Sequence, residues 1–83
     1  MRRREIADQI KRFAENNLST NARLIYLSLT VNDASGDVIN YATLTEWTGI
    51  KSADTLKRCA VELEQAGFVE TKLSRHGVVY TIL

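Results

Sequence analysis

The 83-residue sequence predicts a mainly α fold closed by a small β-hairpin. Three observations carry that prediction. The stretch from Ser52 to Gly67 holds one apolar stripe at three- and four-residue spacing, Leu56, Cys59, Ala60, Leu63 and Ala66. The last fifteen residues switch to strict alternation on either side of Ser74-Arg75-His76-Gly77. Capping residues recur upstream, with Ser19, Asn40 and Ser52 each standing just before an apolar-periodic run. The predicted order is helix, helix, short strand, helix, helix, hairpin, in a single domain over residues 1–83.

Residues 4–16 read as the first helix. Ile6, Ile10 and Phe13 lie at i, i+4 and i+7, and the opposite face carries Glu5, Asp8, Lys11, Arg12 and Glu15. Asn16-Asn17 is its expected stop. Ser19-Thr20 then caps a second helix from about Asn21 to Val31. Leu24, Leu27 and Val31 form its predicted main stripe, flanked by Ile25 and Leu29. A helix this apolar around its circumference is either central to the core or shared with a partner subunit. The run from Asn32 to Asp37 is turn chemistry, and Val38-Ile39 reads as a short strand.

Asn40 caps a short third helix, Tyr41 to Thr48, with Leu44 and Trp47 at i and i+3. Gly49 ends it, and Ile50-Lys51 bridges to Ser52. Two helices joined by a short turn containing Gly describe a helix-turn-helix. The fourth helix, residues 52–66, opens on Ser52 with Asp54 in the positive field of its first turn. Gly67 closes it in the left-handed conformation, and Phe68-Val69 starts the hairpin. Val69, Thr71 and Leu73 share one face of the first strand, with Glu70 and Lys72 on the other. Val78, Tyr80 and Ile82 alternate with Val79, Thr81 and Leu83 on the second.

A resemblance attaches to these residues. Ser52-x-x-Thr55-Leu56-x-Arg58, then Leu63-Glu64, then Gly67-Phe68-Val69, resembles the recognition helix and first wing strand of winged helix-turn-helix domains. Leu44-Thr-Glu-Trp-Thr-Gly-Ile50 resembles the first half of the motif. Prokaryotic regulators and phage or plasmid replication proteins carry many such domains. The resemblance runs from about Ser19 onward and leaves residues 1–17, the N-terminal helix, outside the winged core. It implies a small DNA-binding regulator of transcription or replication. Helix 52–66 would lie in the major groove of double-stranded DNA, and the wing, residues 69–82, beside it.

Composition bounds this. Hydrophobic residues make up 45% and charged residues 25%, ordinary for a folded domain. No apolar run reaches bilayer-spanning length, and Met1-Arg2-Arg3-Arg4 is not followed by an apolar signal region, so the expected location is cytoplasmic. A single cysteine excludes an internal disulfide and a cysteine-cluster metal site. One His, one Cys and no glycine-rich phosphate loop leave little to build catalysis with, and no catalytic motif constellation occurs. No enzyme activity, metal, cofactor or small-molecule ligand is expected. Net charge is only +1. In residues 41–83, Lys51, Lys57, Arg58, Lys72 and Arg75 cancel against Glu46, Asp54, Glu62, Glu64 and Glu70. DNA binding therefore requires the cations to be gathered on one surface.

The candidate DNA-binding residues are Ser52, Ala53, Asp54, Thr55, Lys57 and Arg58 at the start of the fourth helix. Lys72, Arg75 and His76 join them around the hairpin tip, and Thr43 and Thr45 on the third helix can donate to phosphate. The Arg2-Arg3-Arg4 segment can serve as a basic arm. Each also has a plain structural reading. Asp54, Arg58 and Glu62 at i, i+4 and i+8 can form an ion-pair ladder on a solvated face, worth about 0.3–0.5 kcal/mol per pair. Ser52 can be an N-cap alone, and Trp47 a core residue. One winged module reads few base pairs, so a homodimer is expected, with Ile6, Ile10 and Phe13 as the candidate interface. The alternative is a winged-helix protein–protein interaction module that does not bind DNA, such as a phage-encoded inhibitor or assembly subunit. An exposed apolar patch at Val61 and Tyr41 would favour it.

Overall fold

Capping and glycine positions place the helices. The computed structural model describes residues 3–83, with side chains from Ala7 onward. It contains four helices, α1 (Arg3–Glu15), α2 (Thr20–Val31), α3 (Tyr41–Thr48) and α4 (Ala53–Gln65). Three strands, β1 (Val38–Ile39), β2 (Val69–Ser74) and β3 (Gly77–Ile82), form an antiparallel sheet in the order β1-β3-β2. The Oγ of Ser19 accepts from Ala22 N at 3.2 Å, Asn40 Oδ1 from Thr43 N at 2.8 Å, and Ser52 Oγ from Thr55 N at 3.2 Å. Each such cap contributes about 1 kcal/mol. Gly49, at φ 77°, closes α3, and the chain re-enters helix at Ala53.

The sheet assembles from distant segments. β2 pairs with β3 from Val69↔Ile82 to Ser74↔Gly77, leaving Arg75 and His76 as a two-residue tip. β1 pairs with β3 through Val38↔Val79 and Ile39↔Val78. The face bearing Val69, Val78 and Tyr80 is buried under the helices together with Ile39.

The core is built where α2, α4 and the sheet meet. Leu56, Cys59 and Leu63 supply the buried side of α4. On α2 the predicted stripe is corrected. The buried residues are Ala22, Ile25, Tyr26, Ser28 and Leu29, whereas Leu24 is exposed and Val31 is 82% exposed. Periodicity cannot select among apolar arcs on a helix that is apolar most of the way round. The neighbours select, and here they sit over the Ile25–Leu29 side.

The second correction concerns α1. Phe13 is 1% exposed and forms an aromatic cluster with Tyr26 and Phe68, with ring centroids 5.4 to 5.6 Å apart. It is therefore part of this chain's own core and not a free interface residue. The Arg12 guanidinium lies 4.4 Å from the Phe68 ring centroid and covers the cluster from outside. Ile10 remains half exposed, at 51%. Ile6 and the Arg2-Arg3-Arg4 segment lie outside the residues whose side chains are described. Among the described residues no helix is long and apolar enough to cross a membrane.

Candidate nucleic-acid interface

The outward side of α4 follows from its inward one. With Leu56, Cys59 and Leu63 fixed in the core, the helical repeat turns Ala53, Asp54, Lys57 and Arg58 to solvent. Ser52 is exposed too; its hydroxyl oxygen accepts as the cap and its O–H remains free to donate. Thr55 is half buried, with its N–H held by that cap. Arg58 and Asp54 form an ion pair at 2.9 Å, with side chains 80% and 73% exposed. A pair this exposed is worth a few tenths of a kcal/mol, so Arg58 can leave it for a phosphate at little cost.

The ladder stops at this first rung. The Glu62 carboxylate accepts instead from Ser19 N at 2.6 Å and Ser19 Oγ at 2.9 Å, joining α4 to the start of α2. There it meets the positive end of the α2 dipole. Glu64 likewise accepts from the Thr71 backbone N–H at 3.0 Å and its hydroxyl at 3.2 Å. These contacts tie α4 to β2 and cover part of that strand's open edge. The acids of the C-terminal half of α4 thus face its neighbours. The cations of its N-terminal half face outward.

Tyr41 links this surface to the hairpin tip. Its ring lies 5.9 Å from the Lys57 ammonium. On its other side a shallow pocket of about 330 Å³ is lined by Asn40, Tyr41, Leu73, Arg75 and His76 among others. Lys57, Arg75 and His76 therefore border one continuous surface through Tyr41, Leu73 and Val78. Lys72 does not join them in the same way. Thr71 bonds to α4 and Leu73 lines the α4-side groove, so strand alternation turns Lys72 with Glu70 to the opposite sheet face. Thr43 and Thr45 are half buried on α3. Trp47 packs partly buried against the core.

Val61 and Tyr41, named above as a candidate apolar patch, line a groove of about 360 Å³ between α4 and the hairpin. Its lining includes Tyr41, Lys57, Val61, Leu73, Val78 and Tyr80. Val61 and Leu73 are 51% and 83% exposed. Tyr80 is fully buried, and its hydroxyl has no hydrogen-bond partner. Burial, with smaller contributions from Tyr41 and Cys59, pushes its pKa up to about 12, so it stays protonated at neutral pH. Cys59 is a buried core residue. Burial raises its pKa first, and Glu62 adds to this against a hydrogen bond from Ser19. A thiol held protonated in this way is a poor nucleophile. Among the described residues no three His, Cys, Asp or Glu side chains group as metal ligands.

Comparison with known proteins adds no assignment: no protein-family model, curated protein or solved structure matches the chain.

Proposed function

We propose that this chain is a winged helix-turn-helix protein that binds double-stranded DNA. In this reading α3 and α4 are the helix-turn-helix pair, α4 enters the major groove, and β2–β3 is the wing. The observation that carries it is the segregation of charge on α4. Lys57 and Arg58 project outward from its N-terminal half, where Asp54 pairs with Arg58, while Glu62 and Glu64 turn back onto Ser19 and Thr71. A net charge of +1 is thereby compatible with a cationic front. Arg58 can neutralise phosphate or present its forked donors to guanine, and Arg75 and His76 reach the flanking backbone. The topology fits this placement, because β1 pairs with β3 and leaves the β2–β3 tip free to project. A homodimer belongs to the proposal, since one module covers a single half-site, and Ile10 is its exposed apolar candidate on α1. A small regulator of transcription or replication is the role that suits such a module.

The second reading, a protein-interaction module on the same fold, draws on the exposed Val61 and Leu73 beside Tyr41. Fluorescence anisotropy with a mixed-sequence duplex across a salt series separates the two. Wild type is expected to bind, with log affinity falling linearly against log salt at about 0.9 per neutralised phosphate. Lys57→Ala/Arg58→Ala should lower the slope by about 2. Both side chains are exposed, so this variant is expected to fold. No binding at ~50 mM salt, or an unchanged slope in the variant, overturns the DNA reading.

A further inference from the structure

We propose that the groove between α4 and the β2–β3 hairpin binds a small amphipathic organic anion. Its carboxylate pairs with Lys57, and its apolar body lies on Val61, Leu73 and Val78. The site does not depend on DNA being the partner. At about 360 Å³ the groove is the size of a small-molecule site, within the range of about 300–1,000 Å³ such sites occupy. Its walls are mostly apolar, and among the described residues that line it Lys57 carries the one formal charge, while the Glu64 carboxylate is held by Thr71 N–H and hydroxyl. That charge selects an anion, and the walls select a hydrocarbon or aromatic body.

The Tyr80 hydroxyl is the second observation. Buried polar atoms nearly always find a partner, and this one, on a fully buried side chain that lines the groove, has none. The hydroxyl is closed to solvent, so a ligand oxygen satisfies it only by parting the groove wall above it. Leu73 stands 83% exposed at the groove margin, where an apolar ligand would cover it. An extended peptide is a poorer occupant. Glu64 holds the Thr71 N–H on the open edge of β2, so a partner strand cannot add there in register.

The test uses octanoate as the probe, followed by amide chemical shifts of the full chain. Octanoate is expected to bind saturably at one site, shifting Tyr41, residues 57–61 and residues 71–80. n-Octylammonium, with the same tail and opposite charge, should not bind. Lys57→Met should weaken octanoate about tenfold by removing a charge-assisted hydrogen bond. Leu73→Glu, at an exposed position that tolerates the change, should weaken it at least as much by placing a carboxylate in the wall. Val31→Glu, exposed on α2, should leave it unchanged. Equal binding of octylammonium, shifts scattered over the surface, absence of saturable binding, or wild-type affinity in either Lys57→Met or Leu73→Glu overturns the proposal.

Discussion

Gly77→Ala is expected to be the most damaging single-atom addition in the chain. Gly77 begins β3 at φ 152°, a conformation that side-chain-bearing residues rarely adopt. Space is shorter still than conformation. A Cβ here would run into the Ile39 carbonyl oxygen and would lie 2.6 Å from the Ile39 carbonyl carbon and 2.9 Å from Asn40 N. These are backbone atoms at the junction of β1 and α3, and they cannot swing aside as a side-chain end can. Relief requires β1 to separate from β3, or the hairpin to tilt away from Tyr41. Backbone strain of about 1–3 kcal/mol and an overpacking cost of similar size add here. A domain of this length has about 4–12 kcal/mol in total. Urea denaturation should show a loss of about 3–5 kcal/mol, or no folded baseline at all. Gly36→Ala is the matched control, because its own φ is 87° but a Cβ there meets nothing within 4 Å. It should cost only the conformational part, about 1–2 kcal/mol.

Phe13→Ala should cost about 3–5 kcal/mol, as removal of a buried aromatic ring usually does. The ring fills the space between Tyr26 and Phe68 and, among the described residues of α1, is the buried anchor by which the helix holds the body. Its loss leaves a cavity beside two rings and frees Arg12 from Phe68. Hydrogen exchange should show α1 amides losing protection before those of α4. Sedimentation at matched folded fraction should show no change in any self-association, because the residue acts inside one chain. Ile10→Glu is the complementary change. It should leave stability nearly unaltered, since the side chain is half exposed.

These two sites also mark where sequence reading works and where it stops. Local chemistry is legible at Ser19, Asn40 and Ser52, where a side-chain oxygen must meet a free N–H within three residues. Gly49 and the Arg75-His76 tip are legible for the same reason, being decided within a few residues. Phe13 is not, because an apolar stripe on a helix looks the same whether the covering surface is this chain or another. α2 shows the same limit at Leu24 and Val31. Glu62 reads as the next rung after Arg58 by spacing alone. Its actual partner, Ser19, lies 43 residues away and is fixed only by the packing of α4 on α2. The groove requires α3, α4 and both hairpin strands at once, so no single segment announces it. Lys72 is the contrary case: strand alternation already separates it from Thr71 and Leu73.

The proposed DNA-binding surface is the outward N-terminal half of α4 together with the hairpin tip. The most direct measurement maps that surface by amide chemical shifts as a short mixed-sequence duplex is added at ~50 mM salt, where even non-specific phosphate contacts are strong. The largest changes are expected at Ser52 to Arg58 and at Arg75 and His76, with Glu62, Glu64 and the Phe13 cluster nearly still. Shifts centred elsewhere, or none at all, would contradict the DNA-binding account.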